Sequence, residues 1–129
     1  AAQGGLAAAP RSARARGASG RSSGETQPVA LTLARMQARV HTARLAWLDA
    51  AQKLVRGKPF KAEASVAKLV GGEAAMANAR DASQIFGGYG FLNENPVARH
   101  YRDAKVLEVG EGTTEVQLMV IARSLGLDG

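Results

Sequence analysis

Glu111 stands in the first feature of the sequence whose residue types and spacing could carry chemistry. It is followed by Gly112, which tolerates unusual backbone angles, and by Thr113, which suits the N-cap of a helix. Free N–H groups at a helix start favour an anion or a polar ligand, so this turn could present the Glu111 carboxylate as a base beside a bound group. Acidic residues are also common near helix starts for electrostatic reasons alone, which leaves a structural role open.

The run QIFGGYG at residues 84–90 is the second candidate. Its glycines would let the phosphates or flat rings of a ligand approach the backbone closely. The run follows a predicted helix and not a strand, so it is not a dinucleotide-binding fingerprint, and no Gly-Lys-Ser/Thr follows to make it a P-loop. A helix C-cap with a turn explains the same residues, and on spacing alone it is the better interpretation.

The elements that must position these residues are predicted to be helices. From Pro28 to the break at residues 57–59, apolar side chains recur at spacings of three and four, which is typical of one face of a long amphipathic helix. That face consists of Leu33, Met36, Val40, Ala43, Trp47, Ala50 and Leu54.

A second helix is predicted from about Lys61 to about Phe86. It carries a narrow stripe of small residues that would let two helix axes approach closely. The pair Gly71 and Gly72 in its middle indicates close backbone approach or a local bend, because glycine inside a helix is otherwise unfavourable. The stripe consists of Ala67, Val70, Ala74 and Ala77.

Shorter helices complete the predicted domain. One runs over residues 97–107, residues 108–112 form a break, and a last helix starts at Thr113 and ends near Gly126. The sequence shows no notable strand pattern and no internal repeat. It therefore predicts an all-α fold, an up-and-down helical bundle of two long antiparallel helices, a glycine loop and one or two shorter helices.

Residues 1–25 differ in character from the rest of the 129-residue chain. They hold eight Ala, five Gly, four Ser and four Arg, with Leu6 as the one large apolar side chain. Such a segment buries too little surface to offset its ordering entropy, so residues 1–25 are predicted to be a disordered or weakly helical low-complexity prefix. Residues 26–129 are predicted to form the single folded domain.

Composition excludes several kinds of function. Residues 1–25 carry half of the net charge of +6, and the remaining charges are interleaved without a basic stripe, which argues against a nucleic-acid partner. No cysteine is present and His41 and His100 stand alone, so neither a disulfide nor a metal site is expected. No apolar run has the length of a membrane span and no secretory signal is seen, so we expect a bacterial cytoplasmic or an organelle-matrix location.

The stretch SQIFGGYGFLNENPVARHYRDAKVLEVGEGTTEVQLMVIARSLG, residues 83–126, resembles the end of acyl-CoA dehydrogenases. It contains in order a Gln, a Gly-Gly-x-Gly loop, an Arg-Asp pair, a Glu-Gly-Thr and an apolar helix with Ala-Arg. TQPVALTLARM, residues 26–36, is similar to the start of the first helix in the C-terminal domain of that family. The resemblance covers roughly residues 26–127, and residues 1–25 match nothing in the family pattern.

The resemblance implies an FAD enzyme that introduces a double bond into an acyl-CoA thioester. Glu111 falls on the catalytic base of the family, which removes the α-proton while the β-carbon gives a hydride to the flavin. Thr113 and Glu115 fall on positions that contact FAD beside the base. Gly110 stands where many members carry an aromatic residue, so the shape of the acyl pocket is left open, and Glu115 stands where some carry Gln.

The resemblance also implies an assembly. Gln84, Gly87 and Gly88 fall on positions that contact the adenosine-diphosphate part of FAD bound to a neighbouring subunit, which implies a homo-oligomer, a dimer or a tetramer. Electron-transfer flavoprotein is the implied acceptor. Related flavoproteins that oxidise nitroalkanes or hydroxylate amines commonly replace the catalytic glutamate, so Glu111 argues against them.

The first two domains of the family, one helical and one β, should precede Thr26 and are expected to be missing. A frameshift or a misplaced gene start would explain both their absence and the composition of residues 1–25. The chain alone is therefore expected not to turn over acyl-CoA. The alternative is a non-catalytic helical module that self-associates through its small-residue faces, and the joint presence of Glu111, Thr113 and Gln84 favours the enzyme.

Overall fold

The computed structural model describes residues 2–15, 17–18, 21–22 and 27–127. Its helices confirm the predicted all-α class, and the two long ones begin and end close to the predicted residues. A minimal antiparallel pair of two-residue strands, β1 (Gly17–Ala18) and β2 (Arg21–Ser22), is the one addition in the described residues. The helices are α1 (Ala2–Ala15), α2 (Gln27–Val55), α3 (Lys61–Phe86), α4 (Pro96–Val109) and α5 (Thr114–Ser124), and Gly87–Gly90 form a 3₁₀ turn.

Helices α2 and α3 form the predicted antiparallel pair. Lys53 near the end of α2 contacts Glu63 near the start of α3, with Nζ and Oε1 2.5 Å apart. Farther from the turn, Asn78 of α3 donates from Nδ2 to the backbone oxygen of Met36 at 3.1 Å. Contacts that move forward along one helix and backward along the other define the antiparallel direction.

Helix α3 is the centre of the fold, because it packs against α1, α2, α4 and α5. Of the predicted stripe of small residues, only Ala74 is buried, since neighbours on several sides spread the buried positions around the helix. The buried residues of α3 are Ser65, Gly72, Ala74, Ala75, Asn78, Ala79 and Ala82.

The main core lies where the first four helices meet. Ala9, Met36, Ala82 and Val97 come from α1, α2, α3 and α4 in turn, and each has an exposed fraction of 0%. The short side chains of the two alanines and the valine allow the helix axes to lie close together, which suits a chain with 5% aromatic residues.

Residues 2–15 are helical, which is one of the two outcomes expected for the prefix, disordered or weakly helical. They form α1, in which Ala9 and Ala13 are buried and Leu6 packs against the core. Leu6, Ala9 and Ala13 are three and four residues apart and share one helix face, so small residues here bury surface by close approach and not by size. The predicted boundary at residues 25–26 lies outside the described residues.

Only part of the predicted apolar face of α2 is covered by the other helices. Met36 and Ala50 are buried, whereas Trp47 is 60% and Leu54 56% exposed. Periodicity identifies which side of a helix is apolar, but it does not show what packs there. None of the described helices combines the length and apolar character that crossing a membrane requires.

Helices α4 and α5 run back along α3 in succession. Val97 at the start of α4 contacts Ala82 near the end of α3, and the backbone oxygen of Glu108 accepts from Lys68 Nζ at 3.2 Å. Lys61 at the start of α3 and Arg123 in α5 line a common cleft. The α4–α5 loop therefore lies beside the N-terminal half of α3, and the 3₁₀ turn lies at the other end.

Candidate functional site

The loop between α4 and α5 holds Glu111 in a left-handed conformation. Glu111 has φ 56° and Gly112 has φ 94°, and Glu111 is the one non-glycine residue with positive φ in the described part of the chain. A residue with a Cβ loses roughly 1–2 kcal/mol in this region, so the surrounding contacts must hold it there. The side chain of Glu111 is exposed, as the sequence reading of this turn predicted.

Gln117 supplies part of what holds this loop. Its Nε2 lies 3.5 Å from the backbone oxygen of Glu111 and 3.3 Å from that of Gly112, and the residue is 8% exposed. Sequence reasoning missed Gln117. The available signal was a glutamine one turn inside the last helix, close enough to reach back over the turn that precedes it.

Thr113 caps α5 as predicted. It has extended backbone angles, and its hydroxyl oxygen accepts from the backbone N–H of Val116 at 3.4 Å. The pKa of the Glu115 carboxyl lies below its ordinary value. The largest cause is a hydrogen bond from the backbone N–H of Glu115 itself, and the second is a hydrogen bond from the Thr113 hydroxyl. Lys105 and Lys68 add electrostatic attraction, so Glu115 is kept ionised beside the loop.

Two lysines fix the end of α4. Lys105 pairs with Glu108 across one turn, Nζ to Oε2 2.6 Å, and this hydrogen bond is the main cause that raises the pKa of Lys105. Lys68 donates to the backbone oxygen of Glu108 from α3. Positive charge at the carboxyl end of a helix is favourable, so these contacts hold α4 in place where the Glu111 loop begins.

The second candidate cluster lies in a groove of about 800 Å³ at the end of α3. Gln84, Gly87 and Gly88 line it together, and all three are exposed. Gly87 has φ 58°, which ends α3, and its N–H donates to the backbone oxygen of Gln84. The C-cap interpretation of this run is therefore confirmed.

Two arginines line the same groove, and sequence reasoning had included one of them, Arg102, as the Arg of the Arg-Asp pair in the family pattern. Arg80 precedes Gln84 by one helical turn, and Arg102 comes from α4. The side chain of Arg102 donates from Nη1 to Asn93 Oδ1 at 3.3 Å, which orients its guanidinium at the groove wall. The i, i+4 spacing of Arg80 and Gln84 was the signal in the sequence that could have found the first of them.

The structure does not bring the two clusters together. The Glu111 loop lies near Lys68, and Gln84 follows Lys68 by 16 residues on the same helix. At 1.5 Å per residue that is about 24 Å along α3. The N-terminal half of α3 thus lies beside the loop that holds Glu111 with a strained backbone and an exposed side chain, and the C-terminal end of α3 carries a basic glycine-lined groove. These features define a helical domain with two separate candidate sites on its surface.

Comparison with known proteins identifies this class of domain. The sequence matches the acyl-CoA dehydrogenase C-terminal domain over residues 1–126. It is 48% identical over 99 residues to the short-chain specific acyl-CoA dehydrogenase of Megasphaera elsdenii, covering 77% of this chain and 26% of that protein. The chain belongs to the acyl-CoA dehydrogenase family.

Solved structures agree with that assignment. The structure of butyryl-CoA dehydrogenase from Megasphaera elsdenii superposes with a TM-score of 0.94 at 43% identity, over 96% of this chain and 32% of that one. The FAD complex of PigA superposes with a TM-score of 0.94 at 30% identity, over 99% of this chain and 33% of that one. The chain thus spans about a quarter to a third of the length of these relatives. Because the family match includes residues 1–25, the expectation that they match nothing in the family is wrong.

Proposed function

We propose that this chain acts as the C-terminal domain of an FAD-dependent acyl-CoA dehydrogenase and that Glu111 is the catalytic base. The observation that carries the proposal is the left-handed backbone at Glu111, a non-glycine residue with φ 56° on an exposed loop. Strained backbone of this kind is concentrated at functional sites, where the surrounding structure compensates for it. A purely structural acidic residue at a helix start has no need of it.

The reaction assigned to Glu111 is removal of a proton from the carbon next to the thioester carbonyl. A carboxylate oxygen of Glu111 takes that proton, the electron pair of the broken C–H bond forms the α,β double bond, and a hydride leaves the β-carbon. FAD, when bound, accepts this hydride. Glu111 is exposed in this chain, so the surface that excludes water around the base has to come from other parts of the enzyme.

The groove at the far end of α3 fits the adenosine-diphosphate part of FAD. The guanidinium groups of Arg80 and Arg102 can pair with phosphate oxygens, and Gly87 and Gly88 leave the backbone open to close approach. Gln84 offers an amide to the same groove. The pairing of two cations with exposed glycines is what an anionic, flat-ringed group requires.

The position of the groove supports a homo-oligomer. Because the groove and the Glu111 loop lie at opposite ends of α3, the groove is suited to FAD whose reactive ring belongs to a neighbouring subunit in a dimer or tetramer. We assign acyl-CoA as substrate and electron-transfer flavoprotein as electron acceptor on the strength of family membership. A bacterial cytoplasm or an organelle matrix is the corresponding location.

The alternative is a helical oligomerisation module without catalysis. Large apolar side chains are exposed at Trp47, Val55, Phe91 and Leu125, with fractions from 60% to 88%. Such side chains can pack against a partner surface. An enzyme of the length of the relatives also needs such interfaces, to its other parts and to other subunits, so the exposed surface is compatible with both functions. The strained Glu111 loop favours the enzyme.

A chimera tests the proposed function. The corresponding C-terminal residues of the Megasphaera elsdenii enzyme would be replaced by residues 27–127 of this chain, and acyl-CoA-dependent reduction of a dye acceptor would be measured. We expect activity in the chimera and a loss of at least ~100-fold in kcat for Glu111→Gln, the scale of a general base. Glu94→Gln, at an exposed glutamate outside both clusters, should retain full activity.

Two results would count against the proposal. A Glu111→Gln chimera that turns over as fast as its parent would remove the assignment of the base. A folded chimera that binds FAD and acyl-CoA yet has no activity would favour the non-catalytic module. The 129-residue chain alone, mixed with FAD and acyl-CoA, is expected to reduce no acceptor.

A further inference from the structure

The loop that carries Glu111 has an unusual internal support. Glu111 and Gly112 are both left-handed, at φ 56° and 94°, so their carbonyl groups turn away from the ladder of α5. The first carbonyl that this ladder uses is that of Thr113, which accepts from the N–H of Gln117 at 3.0 Å. The carbonyl oxygens of Glu111 and Gly112 instead face the side chain of Gln117.

Gln117 is the buried residue of α5. It is 8% exposed, whereas its apolar neighbours Val116, Leu118 and Met119 are 45–52% exposed. Burying an amide while leaving methyl groups outside gains little from the hydrophobic effect. What the buried amide gains is a three-centre contact, with Nε2 at 3.5 Å from Glu111 O and 3.3 Å from Gly112 O.

Gly112 is matched to this amide. A Cβ built on Gly112 would lie 2.7 Å from Gln117 Nε2, closer than real Cβ atoms approach. The missing side chain at position 112 therefore makes the space that the carboxamide fills. Gly112 and Gln117 therefore act together. Gly112 leaves space for the carboxamide of Gln117, and the carboxamide contacts the carbonyl groups of both left-handed residues.

We propose that Gln117 is a positioning residue for Glu111: its carboxamide clamps the two carbonyl groups of the left-handed loop and so fixes the direction in which the Glu111 carboxylate leaves the backbone. The catalytic consequence rests on the proposed function of Glu111. The effect of Gln117 on the backbone of Glu111 is tested in the 129-residue chain alone. Its failure and the failure of Glu111 as the catalytic base can therefore be distinguished.

The first measurement is the backbone angle of Glu111 in the isotopically labelled full chain. The three-bond HN–Hα coupling and the carbon chemical shifts of Glu111 report φ in the folded state. Gln117→Met keeps the size of the side chain and removes the donor, and Gln117→Glu places an anion against two carbonyl oxygens. Gln52→Met, at an exposed glutamine of α2, makes the same chemical change away from the loop.

We expect Glu111 to leave the left-handed region in a measurable fraction of Gln117→Met molecules and in a larger fraction of Gln117→Glu molecules, with no change in Gln52→Met. A Glu-specific protease should then cleave after Glu111 roughly three- to tenfold faster in Gln117→Met, the range for losing one ordinary hydrogen-bonded contact. Cleavage after Glu94 in the same molecules is the internal reference. Lowering the pH should partly restore Gln117→Glu, because a protonated carboxyl can donate to one carbonyl.

A residue that merely stabilises α5 would lower the unfolding midpoint and leave φ of Glu111 unchanged in the folded chain. That result in both Gln117 variants overturns the proposal. In the active chimera, Gln117→Met should lower kcat several-fold with KM little changed, because the base remains present and is aimed less well. Unchanged kcat despite a displaced Glu111 would equally overturn the positioning role, while Glu111→Gln independently reports whether the base assignment holds.

Discussion

Gly72 of α3 lies directly against the backbone of Leu107 in α4. A Cβ built on Gly72 would lie 2.9 Å from the carbonyl oxygen of Leu107, whereas a Cβ on its neighbour Gly71 would meet no atom within 4 Å. The predicted close approach of a second helix at this glycine pair is therefore confirmed for Gly72 alone. The contact lies next to Glu108, so it also helps to fix the end of α4 from which the Glu111 loop departs.

The two glycines should respond oppositely to alanine. Gly71→Ala is expected to raise the free energy of unfolding by about 0.5–1 kcal/mol, because alanine is the better helix former and the space is open. Gly72→Ala is expected to lower it by about 1–2 kcal/mol, because forcing α3 and α4 apart costs more than the gain in helix propensity. Urea unfolding followed by circular dichroism measures both. Equal shifts of the same sign would show that α4 does not lie against Gly72.

The packing of α1 is tested by alanines on its two faces. Ala9 is fully buried in the main core, and Ala7 is exposed on the same helix. Ala9→Leu should lower the free energy of unfolding by about 1–3 kcal/mol through overpacking. Ala7→Leu should leave it nearly unchanged. If both variants unfold at the parental urea concentration, α1 is not docked on the core in solution.

The packing of α1 on the core could not be predicted from the sequence, and the reason lies in its residues. Estimates of burial from composition weigh large side chains, and Leu6 is the one such residue among residues 1–25. Ala9 and Ala13 each bury little area. Their contribution to stability depends on close packing against a partner helix, whose position cannot be predicted from the local sequence. The long helices α2 and α3 were predictable because periodicity and the break at residues 57–59 are local signals.

In the candidate site, too, some features were predictable from the local sequence and others were not. Thr113 as an N-cap was predictable, since capping depends on residue type at one position. The left-handed angle of Glu111 was not, because glutamate rarely adopts it and the expected adjustment was assigned to Gly112 alone. Gln117 acquires its role only from the three-dimensional path of the loop.

The ion pair between Lys53 and Glu63 predicts a pH dependence of stability. The hydrogen bond from Lys53 holds the pKa of Glu63 below its ordinary value of 4.5, and the same contact raises the pKa of Lys53 above 10.5. The carboxylate contribution is therefore present above pH 4.5 and lost as the pH falls through the folded pKa. The ammonium contribution is present below pH 10.5 and lost as the pH rises through the folded pKa.

Lys53→Met removes this pair together with the longer contact of Lys53 Nζ to Asp49 Oδ2 at 3.8 Å, and it is compared with the parent. The difference in unfolding midpoint should be largest on the plateau between the two titrations and should shrink at both the acidic and the alkaline end. Lys58→Met, at an exposed lysine just after α2, is the matched control and should show no such profile. A difference between parent and Lys53→Met that is constant from acid to alkali would mean that the contact does not persist in solution.

The cap of α5 gives a prediction that joins stability to ionisation. Thr113→Val keeps the shape of the side chain but removes both the acceptor for the Val116 N–H and a donor to the Glu115 carboxylate. It should lower the free energy of unfolding by about 0.5–2 kcal/mol, whereas Thr113→Ser keeps the hydroxyl and should stay close to the parent.

The pKa of Glu115 should rise towards 4.5 in Thr113→Val but remain lowered, because its own backbone N–H is the larger cause. A carbon-detected titration of the Glu115 carboxyl measures this shift. An unchanged titration in Thr113→Val would show that the hydroxyl does not reach the carboxylate, even if the cap itself is lost.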